Sequence, residues 1–180
     1  MKHIKKLASL LLVLVMVFAL ATTAFAEETA YSITINNSAK DHTYEAYQIF
    51  TGDLSGTTLS NIVWGSGVSE AGQTALGDAA AKAETLKTEA DAKAFAKAVA
   101  PYLTTAAGSA NTVTDGKYVI SGLAAGYYLV KDKDGSLTGD SDSYTEYIIQ
   151  VVGNVTATPK SDVPEVQKKV KDINDSTDTT

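Results

Sequence analysis

The chain has no cysteine and no arginine, and only three prolines, two histidines and one tryptophan in 180 residues. Without cysteine there is no disulfide, no thiolate metal ligand, no cysteine nucleophile and no cysteine to carry a lipid. The histidines are His3 and His42. His3 falls in a leader-like segment, so no second imidazole remains to complete a zinc site or to serve a serine nucleophile. His42 stands beside a turn and is expected at the surface. Fifteen lysines face 21 acidic residues, a net charge of −6. Nucleic acid and anionic membrane surfaces both need clustered positive charge, so neither is an expected partner; the balance reads as a solvated acidic surface. No phosphate-binding loop or dinucleotide fingerprint occurs. With no nucleophile and base to pair, the expectation is a non-enzyme without a cofactor.

What is present begins with MKHIKKLASLLLVLVMVFALATTAFAEE. Lys2, Lys5 and Lys6 precede an apolar run from about Leu7 to Ala21, and Ala24-Phe25-Ala26 closes it. This is the three-part layout of a secretory signal peptide over 1–26, with cleavage after Ala26. The run falls short of the roughly 20 residues of a membrane-spanning helix, so the mature chain is expected to have no membrane segment. Cleavage leaves 154 residues with 12 lysines against 21 acidic residues, or −9. That length holds one domain with a real core, or one domain and the beginning of another.

Along the mature chain, Tyr31, Ile33 and Ile35 alternate with Ser32, Thr34 and Asn36, the period of a half-buried strand. After a turn at 37–41, HTYEAYQIFTG reads as a second strand with Tyr44, Ala46 and Phe50 on one face and Tyr47 and Ile49 on the other. Residues 52–67 are rich in turn formers. Composition then shifts to alanine, lysine and glutamate from Ser69 to Leu103. In EADAKAFAKAVAPYL, Phe95, Val99 and Leu103 recur at four-residue steps while Lys93 and Lys97 point outward, which predicts a helix docked on a sheet. Thr88 or Asp91 can cap its start, and Pro101 limits its length. Residues 104–115 read as a loop of small residues. KYVIS, GYYLVKD, TEYIIQVV and VTATPK then read as successive strands. Strands, a helical excursion and more strands fit a mainly β, two-sheet sandwich better than any βαβ order.

Two features invite a site and fall short of one. Asp132, Asp134, Asp140 and Asp142 lack the spacing and the glutamate of a calcium loop, so a solvated hairpin loop is expected and no metal site. Tyr44, Tyr47, Tyr127, Tyr128, Tyr144 and Tyr147 lie in or beside strands, where packing with the phenol tip at the rim is the expected role. Three glycosylation triplets, at Asn36, Asn154 and Asn174, are too short to carry meaning alone.

The signal peptide, a first strand ending at Asn36, YEAYQIFTGDLSG, an Ala-rich helical insertion, GLAAGYYLVKD and TPKSDVPEVQKKVKD together resemble the N-terminal domain of Gram-positive, sortase-assembled pilus backbone subunits. The resemblance implies an immunoglobulin-like β-sandwich with a helical insertion over 27–160. It implies a secreted protein in a cell-wall pilus, with a sortase and neighbouring pilin subunits as partners. In that family an acceptor lysine follows a proline, usually as Tyr-Pro-Lys. Here Thr158-Pro159-Lys160 stands at the junction, which makes Lys160 the implied acceptor and Thr158 the departure. An amine that attacks a thioester must be reachable, and Pro159 with Pro164 keeps the segment extended.

Beyond it, EVQKKVKD reads as a strand with Val166, Lys168 and Val170 on one face. The resemblance makes 161–180 a linker and the first strand of a truncated second, isopeptide-forming (Cna-B-like) domain. Lys168 is its first candidate isopeptide lysine and Lys169 the second. Such a bond needs a buried, deprotonated lysine, an amide carbonyl and a carboxylic acid close by. The first domain offers only Lys40 in a polar turn near its first strand, so no isopeptide of its own is expected. The family's LPxTG-like sorting signal is not among these 180 residues, so further chain is expected in a polymerising subunit. A surface adhesin module, not polymerised and carrying a host or surface ligand, is the alternative.

Overall fold

The structure is a computed structural model and describes residues 30–137 and 146–159. The elements in order are β1 (Tyr31–Asn36), β2 (Tyr44–Ser55), β3 (Thr58–Trp64), α1 (Glu70–Leu76), α2 (Ala79–Thr85) and α3 (Glu89–Val99). A 3-10 turn (Ala100–Tyr102) follows, then β4 (Gly108–Ala110), β5 (Lys117–Leu123), β6 (Gly126–Asp132), β7 (Glu146–Val151) and β8 (Val155–Ala157). The fold is mainly β, in two sheets. One has the order β5-β1-β8; the other has the order β3-β2-β6-β7, with β4 also paired to β2.

The alternation in YSITIN places Ile33 and Ile35 inward, where they meet Tyr118 and Ile120 of β5 and Tyr44, Ala46, Tyr128 and Val130 of the larger sheet. This is the core between the sheets. The larger sheet also has a covered outer face. Tyr47, Ile49, Phe50 and Leu129 pack there against Val68, Ala79, Phe95, Ala96 and Val99, so the helices form a third layer. Phe95 stacks on Phe50 at 5.5 Å between centroids and 9° between planes. Val99 is fully buried and Leu103 half-buried, while Lys93 and Lys97 are exposed. The predicted stripe thus faces the sheet, each large apolar side chain contributing about 2 kcal/mol by burial. Thr88 and Asp91 share the cap. The Thr88 hydroxyl accepts from the Asp91 N–H at 3.1 Å, and the Asp91 carboxylate accepts from the Thr88 N–H at 3.0 Å.

Phe50 departs from its expected face. Gln48 pairs with Tyr128 but Phe50 pairs with Tyr127, so Ile49 is an extra residue in β2. This bulge shifts the alternation by one and turns Ile49 and Phe50 together toward the helices. Gly126 sits opposite it, where a Cβ would lie 2.5 Å from the Phe50 carbonyl oxygen.

Residues 52–67 are mostly strand, where turns were expected. β2 runs to Ser55, Gly56-Thr57 closes a two-residue hairpin with Gly56 at φ 61, and β3 returns. Asn61 at φ 49 and a register shift between Thr51 and Asp53 interrupt this edge, a common way of blunting it. The expected loop 104–115 likewise contains β4. Its short run GSA carries no alternation of its own and is held by β2, Tyr44↔Ala110 to Ala46↔Gly108.

β3 and β4 lie on the same flank of β2, and the chain between them continues the pairing. Gly65 and Gly67 donate to the carbonyls of Ile49 and Gln48 at 2.8 and 2.9 Å, and Ala107 donates to that of Ala46 at 2.8 Å. The helical excursion leaves and returns at one neck, closed by a Val68–Leu103 bridge and by the Thr104 N–H donating to the Gly67 carbonyl at 3.0 Å.

Candidate functional site

Ala26, Lys160, Lys168 and Lys169 lie outside the described residues, as do Asp140, Asp142 and Tyr144. What is described is the approach to Lys160. β8 runs parallel to β1, Ile33↔Val155 to Ile35↔Ala157, as an edge strand of the smaller sheet. Pairing stops where Pro159, lacking an N–H, follows an exposed Thr158. The Asn36 side-chain amide donates to Thr158 Oγ1 at 3.2 Å, fixing the last turn of the path at the end of β1.

The same end of the sandwich holds a polar cluster that corrects the expectation for His42. His42 is 5% exposed, and its Nδ1 lies 2.8 Å from the carboxylate of Asp132, which is 0% exposed. The imidazole stacks on Tyr44, with 5.2 Å between centroids and 9° between planes, and meets the edge of Tyr118 at 6.3 Å. Asp132 is therefore no solvated loop residue. It ends β6 on the inward register of Tyr128 and Val130, and a carboxylate there needs a buried partner. That register was a usable signal, because an aspartate two positions after an inward valine points into the core.

Around this pair the β1–β2 loop is tied down. Asn37 Nδ2 donates to Tyr44 Oη at 2.7 Å, Tyr118 Oη donates to the Ala39 carbonyl at 2.7 Å, and the Lys133 N–H donates to the Thr43 carbonyl at 2.7 Å. Burial raises the Tyr118 phenol. Tyr147, whose Oη has no hydrogen-bond partner among the described residues, is raised by burial and then by the charges of Tyr44 and Asp132. An imidazole sealed between two rings cannot reach a substrate, so His42 and Asp132 act as a strut between β6 and the loop.

A second polar group lies on the outer face of the larger sheet, and the sequence reading missed it. Lys131 is 8% exposed and its Nζ lies 2.7 Å from Asp134. It stands directly across from Glu45 on one side and Glu146 on the other. Tyr47 Oη donates to Glu45 at 2.7 Å; burial and that bond push its pKa up to about 12. Lys40 is exposed in the β1–β2 loop. Among the described residues no three His, Asp or Glu side chains are grouped to hold a metal ion.

An open groove of about 390 Å³ runs between β3 and the first two helices, lined by Ile62, Trp64, Gln73, Thr74 and Asp78 among others. Its polar groups serve the protein itself. Trp64 Nε1 donates to the Gly77 carbonyl at 2.9 Å, Gln73 to the Val68 carbonyl at 3.0 Å, and Asp78 caps α2 through the Ala81 N–H at 2.8 Å. The groove offers a ligand apolar surface and little orientation.

No protein-family model matches this chain, and no curated protein matches it.

Proposed function

We propose that the chain is the N-terminal, immunoglobulin-like part of a structural subunit of a cell-surface pilus, exported and joined covalently to its neighbours by a sortase through the amine of Lys160. One observation carries this reading: the way the chain leaves the sandwich. β8 ends at Ala157, an exposed Thr158 and a proline follow it beside the end of β1, and the next residue is Lys160. An acceptor amine must meet a thioester held by another protein, and a lysine at such an exit meets that need. Support also comes from the resemblance of YEAYQIFTGDLSG, GLAAGYYLVKD and TPKSDVPEVQKKVKD to pilus backbone subunits. On this reading the Ala-rich helices are an insertion in the sandwich. Residues 161–180 then link to a following isopeptide-forming domain, with Lys168 or Lys169 as its lysine.

The test is assembly of the intact subunit with its sortase, read as high-mass ladders on a denaturing gel. Lys160→Ala should abolish the ladders and Lys40→Ala should leave them. Full ladders from Lys160→Ala would overturn the assignment.

A further inference from the structure

The two strands nearest the ends of the described chain are neighbours and run the same way. The chain enters at Tyr31, opposite Leu123, and leaves past Ala157 beside Ile35 and Asn36, so entry and exit lie at opposite ends of one parallel pair. Tension between them drags β1 toward its own start and β8 toward its own end. The strands must then slide past one another, and their hydrogen bonds are loaded together. Had the pair been antiparallel, the two free ends would share one edge and the same tension would open the bonds one at a time.

We propose that the β1–β8 pair is a force-bearing clamp, which makes the sandwich resist tension applied between its two ends. Side chains lengthen it beyond the strands. The N–H and the hydroxyl of Ser32 both donate to Asn154 Oδ1, at 3.0 and 3.2 Å, one residue before β8 begins. Asn36 Nδ2 donates to Thr158 Oγ1 at 3.2 Å, one residue after β8 ends. The bonded overlap therefore spans 32–36 against 154–158, although the backbone register covers only Ile33↔Val155 to Ile35↔Ala157. These side chains sit on the solvent face, opposite the inward Ile33 and Ile35, and are not needed to fill the core. The clamp is independent of Lys160 chemistry. A load that enters and leaves at residue 160 does not cross the sandwich, whereas a load between its two ends does.

The absence of cysteine makes the test direct, because introduced thiols are the only ones available for handles. Single molecules spanning Glu27 to Thr180 are pulled with handles at Ala30→Cys and Thr180→Cys, which shears the pair. They are then pulled at Lys40→Cys and Thr180→Cys, which peels β8 from the end where it exits. Forced unfolding reports the barrier along the pulling direction, not equilibrium stability. The expected rupture force is at least about twofold higher in shear than in peeling. Asn36→Ala with Asn154→Ala should lower the shear force toward the peeling force, and by more than it lowers the latter. Equal forces in the two geometries overturn the proposal, as does a shear force indifferent to both asparagines in a folded variant. If the double variant does not fold, the comparison of geometries in the parent chain decides alone.

Discussion

Asp132 and His42 are 90 positions apart in the chain, and their carboxylate and imidazole lie 2.8 Å apart in its interior. Removing one partner takes a buried hydrogen bond from the other in a dry site. Asp132→Ala and His42→Ala are each expected to lower the unfolding free energy by about 3 kcal/mol. The double variant should lose less than the two together, because the bond they share can be lost only once. Urea denaturation of the four proteins checks this; strict additivity would count against the strut.

The cap of α3 ties helix stability to pH. Thr88→Ala should cost about 1 kcal/mol at neutral pH. The hydrogen bond from Thr88 holds the Asp91 carboxyl below its usual value of 3.8. A depressed carboxylate contributes stability that is present above its unfolded value and lost as pH falls through the folded one. The gap between parent and Thr88→Ala should therefore narrow below about pH 4, as thermal melts across an acid series would show.

Gly126 faces the bulge at Ile49, and any side chain there meets the Phe50 carbonyl. Gly126→Ala should destabilise by about 2 kcal/mol, since backbone and not a flexible side chain must yield. Gly153 has open space around its Cβ position, so Gly153→Ala should stay within about 0.5 kcal/mol of the parent. Paired chemical denaturation of the two variants tests the contrast.

Alkali should unfold the protein by way of its phenols. Tyr47 is raised from 10.0 to about 12, and Tyr118 and Tyr147 are also raised by burial. A raised group contributes stability fully present below its unfolded value and lost as pH climbs through the folded one. Stability should hold up to about pH 10 and fall between there and about 12. Tyr47→Phe should flatten part of that fall, and tyrosinate absorbance should rise together with loss of structure.

The strands of the inter-sheet core were legible because Ile33, Ile35, Tyr118 and Ile120 alternate without interruption, and α3 because Phe95 and Val99 repeat at helical spacing above a capping pair. β3 and β4 were hidden for a different reason. TLSNIVW and GSA become strands by pairing along β2, and a partner supplied by tertiary structure leaves no local period. One inserted residue, Ile49, reversed the face of Phe50, and nothing in HTYEAYQIFTG marks a bulge. The buried His42 was misread from its place beside a turn, because its partner lies on a strand far along the chain. A last strand in VTATPK was anticipated, and β8 occupies Val155–Ala157. The parallel course of β8 beside β1 was not, since strand direction is set by topology and not by pattern.

The helical excursion divides the chain in an unusual place. Before it come β1, β2 and β3; after it come β4 to β8; and each sheet is assembled from both groups, β1 with β5 and β8, and β2 and β3 with β4, β6 and β7. A tryptic cut after the exposed Lys87, between α2 and α3, therefore yields two fragments that each lack a complete sheet and carry what the other is missing. The nicked protein should remain one body, and the separated halves should find structure again only on being mixed.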